Sequence, residues 1–291
     1  MTVAASAAAL QGAQTPRAHV VDVLIAERAP RLAASALWPL ARPLLYALLD
    51  YAKARRMADA IAPLPGRAAL DHVSDLLQVA VSVRGLDHVP KAGRAILICN
   101  HPTGIADGIA VYDALKGVRP DICFYANSDA HRVVPAFDDV LIPVEWVEAK
   151  RTRERTRITL QMTREAMEAE RAVVIFPAGR LARRGPDGGL SDPEWMTSAL
   201  SLARKYEAQV VPMNLAGPSS TLFHLFNRFN GELRDITLFH ELLNKRGRAF
   251  DLVVGAAVGP QAIDPDATAA TLALKAYIEH VLRPNPDRAF A

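Results

Sequence analysis

The chain reads as an α/β protein: a largely parallel central sheet flanked by helices, preceded by a helical segment. Three observations predict this. Short, mostly apolar runs recur at residues 95–99, 122–125, 172–176, 209–213 and 252–255, as strands buried on both faces require. Patterns of helical period lie between several of them, at 107–115, 153–170 and 195–206, and strand–helix alternation signals parallel pairing through crossovers. The composition, 51% hydrophobic and 22% charged over 291 residues, supplies the core.

Residues 1–18 show no regular pattern. The Ala-rich start, residues 1–10, has no basic region ahead of it and does not read as a secretory signal. Residues 19–62 read as helical, with breaks or kinks expected at Pro30, Pro39 and Pro43. Within them Trp38, Ala41, Leu45, Leu48 and Leu49 recur at helical spacing, with Leu40 and Leu44 beside them. Arg28, Arg31, Arg42, Lys53, Arg55 and Arg56 fringe this broad apolar arc. The arc suits either a helix in the plane of an anionic membrane surface or one packed on the main domain. Its prolines and Arg42 interrupt it, so it lacks the roughly 20 uninterrupted apolar residues of a bilayer span.

Pro63-Leu64-Pro65-Gly66 is a breaker cluster. It divides the chain into an N-terminal helical segment, 1–65, and a main domain, 66–291. A helix is expected over 68–77. Residues 79–83 then alternate, and residues 90–93 form a turn. Further on, Leu274, Ile278, Val281 and Leu282 mark one face of a closing helix.

Charge and cysteine content exclude some classes. A net charge of +3 is too small to argue for nucleic acid. There is no P-loop and no GxGxxG. The histidines His19, His72, His88, His224, His240 and His280 show no metal-ligand spacing, so no metal site is expected. Cys99 and Cys123 sit in apolar runs and read as buried free thiols.

The chemistry concentrates where the 95–99 strand ends, in Asn100-His101-Pro102-Thr103-Gly104-Ile105-Ala106-Asp107-Gly108. Ligands bind at the carboxyl edge of open α/β sheets. On one helix, His101 and Asp107 would lie about 240° apart and face different ways. They meet only if the chain between them turns, which Pro102 and Gly104 permit. A carboxylate on one imidazole nitrogen would leave the other as a general base. A His beside an Asp that merely caps a helix is the alternative reading of the same spacing.

This block resembles the first motif of the glycerolipid acyltransferase family, and more narrowly its bacterial hemolysin-like branch with lyso-ornithine-lipid acyltransferases. The family's commoner form is His-x4-Asp; here it is His-x5-Asp. Val83-Arg84-Gly85-Leu86-Asp87-His88-Val89-Pro90 resembles the strand and turn before that motif. Phe176-Pro177-Ala178-Gly179 resembles the family's Phe-Pro-Glu-Gly block, and Val211-Pro212-Met213 its Val-Pro-Val block. Residues 219–223 and 234–243 are similar to the tail of that branch. The likeness covers about residues 80–260.

The resemblance implies transfer of a fatty acyl group from an acyl-carrier-protein or coenzyme A thioester to the hydroxyl of a lysolipid, either a lysophospholipid or lyso-ornithine lipid. His101 would be the base and Asp107 its orienting partner, with no acyl-enzyme and no cofactor beyond the donor. Substrate contacts are carried onto Asn100, Gly104, Phe176, Pro177, Gly179, Arg180, Arg183 and Pro212. Ala178 stands where the family has Glu and Arg180 where it has Thr, which leaves room for an acceptor other than glycerol phosphate. An amino-acid lysolipid such as lyso-ornithine lipid is one. Residues 150–157, rich in Arg, could face anionic lipid or an acidic carrier. The implied location is peripheral, on the cytoplasmic face of the inner membrane. A non-catalytic lipid-binding protein and an acyl thioesterase are the competing functions.

Overall fold

The computed structural model describes residues 18–145, 151–184 and 189–290. Residues 1–10 and Lys150, on which two of the expectations above bear, lie outside the described residues.

The N-terminal helices are α1 (Val20–Arg28), α2 (Pro30–Ala34), α3 (Trp38–Leu48) and α4 (Tyr51–Ile61), followed by α5 (Gly66–Leu77). Pro30 opens α2 at a position where the missing N–H costs nothing. Pro39 also falls in a first turn. The break expected at Pro43 does not occur, and α3 runs through it. Pro39 and Pro43 are both exposed, so water can satisfy the carbonyl that Pro43 leaves without a partner.

The sheet strands are β1 (Ala80–Arg84), β2 (Ala95–Cys99), β3 (Cys123–Asn127), β4 (Leu141–Val144), β5 (Ala172–Ile175), β8 (Gln209–Ala216) and β9 (Ala249–Val254); β6 (Arg183–Arg184) and β7 (Leu190–Ser191) form a separate antiparallel ribbon. The spatial order is β1-β9-β8-β2-β5-β3-β4. All neighbours pair in parallel except β8 with β9, so β1 and β9 run against the other five strands.

Two apolar clusters cover the two faces, and the strands alternate between them. Ala95, Leu97 and Cys99 of β2 join the N-terminal helices, α5 and α6 (Ile105–Leu115). Ile96 and Ile98 join α8 (Arg153–Glu168), α9 (Ser198–Lys205) and α13 (Ala267–Ala276). All five β2 residues are buried, each large side chain contributing about 1.5–3 kcal/mol. A π-helical turn at Tyr277–Leu282 continues α13.

Val21, Leu24, Ala54 and Met57 lie in the same apolar cluster as Leu97, so the N-terminal helices share the core of the sheet. The broad arc on α3 divides. Leu49 is buried and Trp38 and Leu45 pack against the core, whereas Leu40 and Leu44 stand 79% and 74% exposed. Among the described residues no helix is long and apolar enough to cross a membrane. Both cysteines are free and buried.

Candidate active site

β2 delivers His101 to the carboxyl edge of the sheet. β5 and β8 flank it on either side, so a crevice opens above its end. Asn100 sets the exit. Its Nδ2 donates to the Leu215 carbonyl at 3.0 Å and its Oδ1 accepts from the Leu215 N–H at 2.7 Å. Both ends of the amide are engaged by β8, so Asn100 braces the turn from behind.

The turn itself needs Gly104, whose φ is +108°, a region open to glycine and strained for other residues. It folds the start of α6 back toward His101. His101 Nδ1 donates to Asp107 Oδ2 at 2.9 Å. The same oxygen accepts from the Thr103 N–H at 2.9 Å and the Gly104 N–H at 3.1 Å, and Thr103 Oγ1 donates to Oδ1 at 2.5 Å. Asp107 is 0% exposed; these four donors compensate the burial of its charge. With a carboxylate as acceptor, Nδ1 carries the proton and Nε2 keeps its lone pair.

Two further contacts hold the imidazole. Phe176 stacks on it, centroids 4.6 Å apart and planes at 28°. Ala182 and Asp192 grip its main chain: the Ala182 N–H donates to the His101 carbonyl at 2.9 Å, and the His101 N–H donates to both oxygens of Asp192 at 3.1 Å. Asp192 is buried, and burial pushes its carboxyl up to about 6 against the pull of His101 and Trp195.

His101 and Phe176 line a cavity of about 330 Å³, near the lower end of the range for small-molecule sites. Its walls are mainly apolar: Leu24 of α1, Met57 and Ile61 of α4, Leu70 of α5, Ile109 of α6, and Phe239 of α12 (Leu238–Leu243). The N-terminal helices thus build part of the wall beside His101.

Of the remaining expected residues, Gly179 lines the cavity with φ +58°. Arg180 is exposed between the lining residues Gly179 and Leu181, at the rim. Arg183 is exposed on β6. Its charge is made harder to hold first by burial, then by the guanidinium groups of Arg234 and Arg180. Arg234, on α11 (Gly231–Asp235), is bonded to Asp235 and Asn227. Pro177 offers its carbonyl to the Met196 N–H. Pro212 lies inside the sheet, opposite Ile98 and bonded through its carbonyl to Gly255; it does not line the cavity.

Sequence reasoning missed Asp192, Trp195 and Thr103 as parts of the site, and the charge of Arg234 near Arg183. The Thr103 contact could have been found, because it lies within the motif. Asp192 and Arg234 carry no local signal. Among the described residues no group of three or more His, Cys, Asp or Glu side chains could hold a metal ion.

Known proteins share this arrangement of sequence. The sequence model of a family described as Acyltransferase matches residues 80–216. The lyso-glycine lipid O-acyltransferase of Phocaeicola vulgatus is 26% identical over 213 residues, which cover 69% of this chain and 72% of that protein. The lyso-glycine lipid O-acyltransferase of Bacteroides thetaiotaomicron is 24% identical over 209 residues, 69% and 74% of the two chains. A solved structure, the 1-acyl-sn-glycerophosphate acyltransferase PlsC of Thermotoga maritima, aligns over 91% of this chain and 96% of its own, with a TM-score of 0.41 and 15% identity.

Proposed function

We propose that the chain is a lysolipid acyltransferase of the glycerolipid acyltransferase type, supported by the Acyltransferase match and the lyso-glycine lipid relatives, that His101 is the general base, and that the acceptor is a lysolipid with a carboxylate-bearing amino-acid head group. The observation that carries the reading is the His101–Asp107 pair at the wall of a largely apolar cavity.

The acyl chain of the donor lies in the cavity with its thioester at Nε2 of His101. Nε2 takes the proton of the acceptor hydroxyl as its oxygen attacks the thioester carbonyl carbon. The tetrahedral species collapses with cleavage of the C–S bond. The departing sulfur takes the proton from the imidazolium, leaving an ester and a free thiol. Asp107 pins the tautomer and faces the positive charge that forms on the ring.

Arg180, Arg183 and Arg234 gather positive charge by the rim, with Asp235 as the carboxylate held on Arg234. Such a cluster suits a carboxylate or phosphate through paired N–H donors. The relatives named for lyso-glycine lipid favour the carboxylate, and lyso-ornithine lipid presents the same group. For the donor we favour acyl-carrier protein over coenzyme A. Arg153 and Arg157 lie on the exposed side of α8, whose first turns adjoin the end of β4 through Arg155 and Glu145. A basic helix face beside the carboxyl edge suits an acidic protein carrier.

The reading includes a peripheral position on the cytoplasmic face of the inner membrane. What supports it is the exposure of Leu40 and Leu44 on α3, apolar side chains of the kind that lie in an interface.

A non-catalytic lipid-binding role is disfavoured by the closed His101–Asp107 contact. A thioesterase is disfavoured by the cationic rim. The test supplies lyso-glycine lipid, lyso-ornithine lipid and lysophosphatidic acid with acyl-carrier-protein and coenzyme A thioesters, and reads products by mass spectrometry. Acylated amino-acid lipid is expected. Acylation of lysophosphatidic acid alone would contradict the acceptor, and release of free fatty acid alone would contradict the transfer.

A further inference from the structure

The His101 main chain is held on both sides, by Ala182 and Asp192, and the acidic member of that grip has no role in the mechanism above. Asp192 lies just after β7. Both of its oxygens accept the His101 N–H at 3.1 Å, and Oδ2 also accepts the Trp195 indole N–H at 3.0 Å. Its own N–H donates to Glu279 Oε1 at 2.8 Å, and Glu279 is paired with Lys275 at 2.6 Å. The carboxyl group is thus fixed by a ring, a main-chain donor and the C-terminal helices together.

A capping carboxylate at a strand end is ordinarily exposed, where water could do the same work. Asp192 is only 6% exposed, and a buried carboxyl is costly to keep ionised. Its Coulombic partners are His101, which favours its charge, and Glu279, which opposes it. Lys275 offsets Glu279 from the C-terminal side. On the β2 side the Cys99 thiol feels the charges of both Asp107 and Asp192, which places the two carboxylates around the same strand end. His101 therefore stands between two buried acids, one on its ring and one on its main chain.

We propose that Asp192 is a positioning residue of the reaction centre, which fixes His101 through the peptide N–H and whose negative charge favours the imidazolium formed when His101 takes the acceptor proton. Trp195 and Glu279 hold Asp192 in that place. The inference rests on His101 being the base.

The experiment compares Asp192→Asn and Trp195→Phe with the wild-type protein, using kcat and KM for the lysolipid across pH 5–9 and thermal unfolding as a check of folding. Asp192→Asn retains an oxygen for the N–H and removes the charge. The expected result is a fall in kcat of about 10–100-fold, the scale of a small misplacement of a reacting group. KM is expected to stay within about twofold, and the acid limb of the kcat profile to move to lower pH. Trp195→Phe keeps an aromatic ring, smaller than the indole, and loses the donor to Asp192, and is expected to show a smaller fall of the same kind. If Asp192→Asn fails to fold, Trp195→Phe decides alone. Wild-type kcat and an unmoved acid limb would overturn the proposal, as would a loss that follows only the folded fraction. If the folded His101→Ala variant keeps its activity, the base assignment fails. If that variant is inactive while Asp192→Asn behaves as wild type, only the role of Asp192 fails.

Discussion

His101 Nδ1 lies 2.9 Å from Oδ2 of Asp107, six residues further along the chain, and the buried carboxylate that receives it also accepts the Thr103 and Gly104 N–H groups. Asp107→Asn replaces an acceptor of four donors by an amide. If its NH₂ faces the ring, it meets three N–H groups; if its oxygen does, the hydroxyl of Thr103 can turn to accept. The variant is expected to fold with a loss of about 1–3 kcal/mol, read by denaturant unfolding. Its kcat should fall about 10²–10⁴-fold, because the negative charge that faces the imidazolium is gone whichever way the amide turns.

If the cavity beside His101 takes the acyl chain, as proposed, chain length follows from its walls. Leu24 and Met57 reach the cavity wall from the N-terminal helices. Leu24→Trp or Met57→Trp should shorten the acyl chain that is transferred, since the added ring fills part of the cavity. Over-packing would cost about 1–3 kcal/mol of stability. Competition among donors of different length, with products weighed by mass spectrometry, checks the shift.

Head-group recognition is separable from catalysis. Arg183→Ala should raise KM for a carboxylate-bearing lysolipid about tenfold, the scale of one charge-assisted contact, with kcat nearly unchanged. Equal KM for this variant and the wild-type protein would remove Arg183 from the head-group site.

The exposed stripe on α3 should act at a lipid surface. Leu40→Asp with Leu44→Asp leaves the core untouched, since both side chains face solvent. Co-sedimentation with anionic vesicles is expected to fall sharply, while activity on detergent-dispersed substrate persists.

Asp192 gives a pH dependence of stability with an unusual sign. Its carboxyl titrates near 6 when folded, above the usual 3.8, so the native state holds this proton more tightly than the unfolded chain. Its contribution favours the fold at low pH, weakens as pH rises from about 4, and is lost by about pH 7. The span is about 3 kcal/mol. Unfolding free energies of the wild-type protein and Asp192→Asn, measured from pH 4 to 7, should diverge by roughly that amount, the wild type losing ground as pH rises.

Much of this was legible in the sequence because the information is local. The apolar runs of β2, β5 and β8 declare buried strands. Gly104 marks the turn that lets His101 and Asp107 meet. β4 escaped notice because a four-residue strand containing Pro143 has too little pattern to read. The reversal of β1 and β9 is a matter of pairing, which no local pattern encodes. Pro43 suggested a break that solvent makes tolerable. Asp192 was invisible for a different reason: its partner is a peptide N–H far back in the chain, and a main-chain donor leaves no mark on residue type. The arc on α3 was legible as apolar but not as two faces, because only the packed structure divides Leu45 and Leu49 from Leu40 and Leu44.

The central claim is that Nε2 of His101 takes the proton of the lysolipid hydroxyl. Its most direct test is product formation by purified His101→Ala, matched to the wild-type protein in fold by circular dichroism, with amino-acid lysolipid and an acyl-carrier-protein thioester. The account predicts that acylated lipid falls by about 10²-fold or more, with lysolipid binding retained. Undiminished acylation by the folded variant would contradict it.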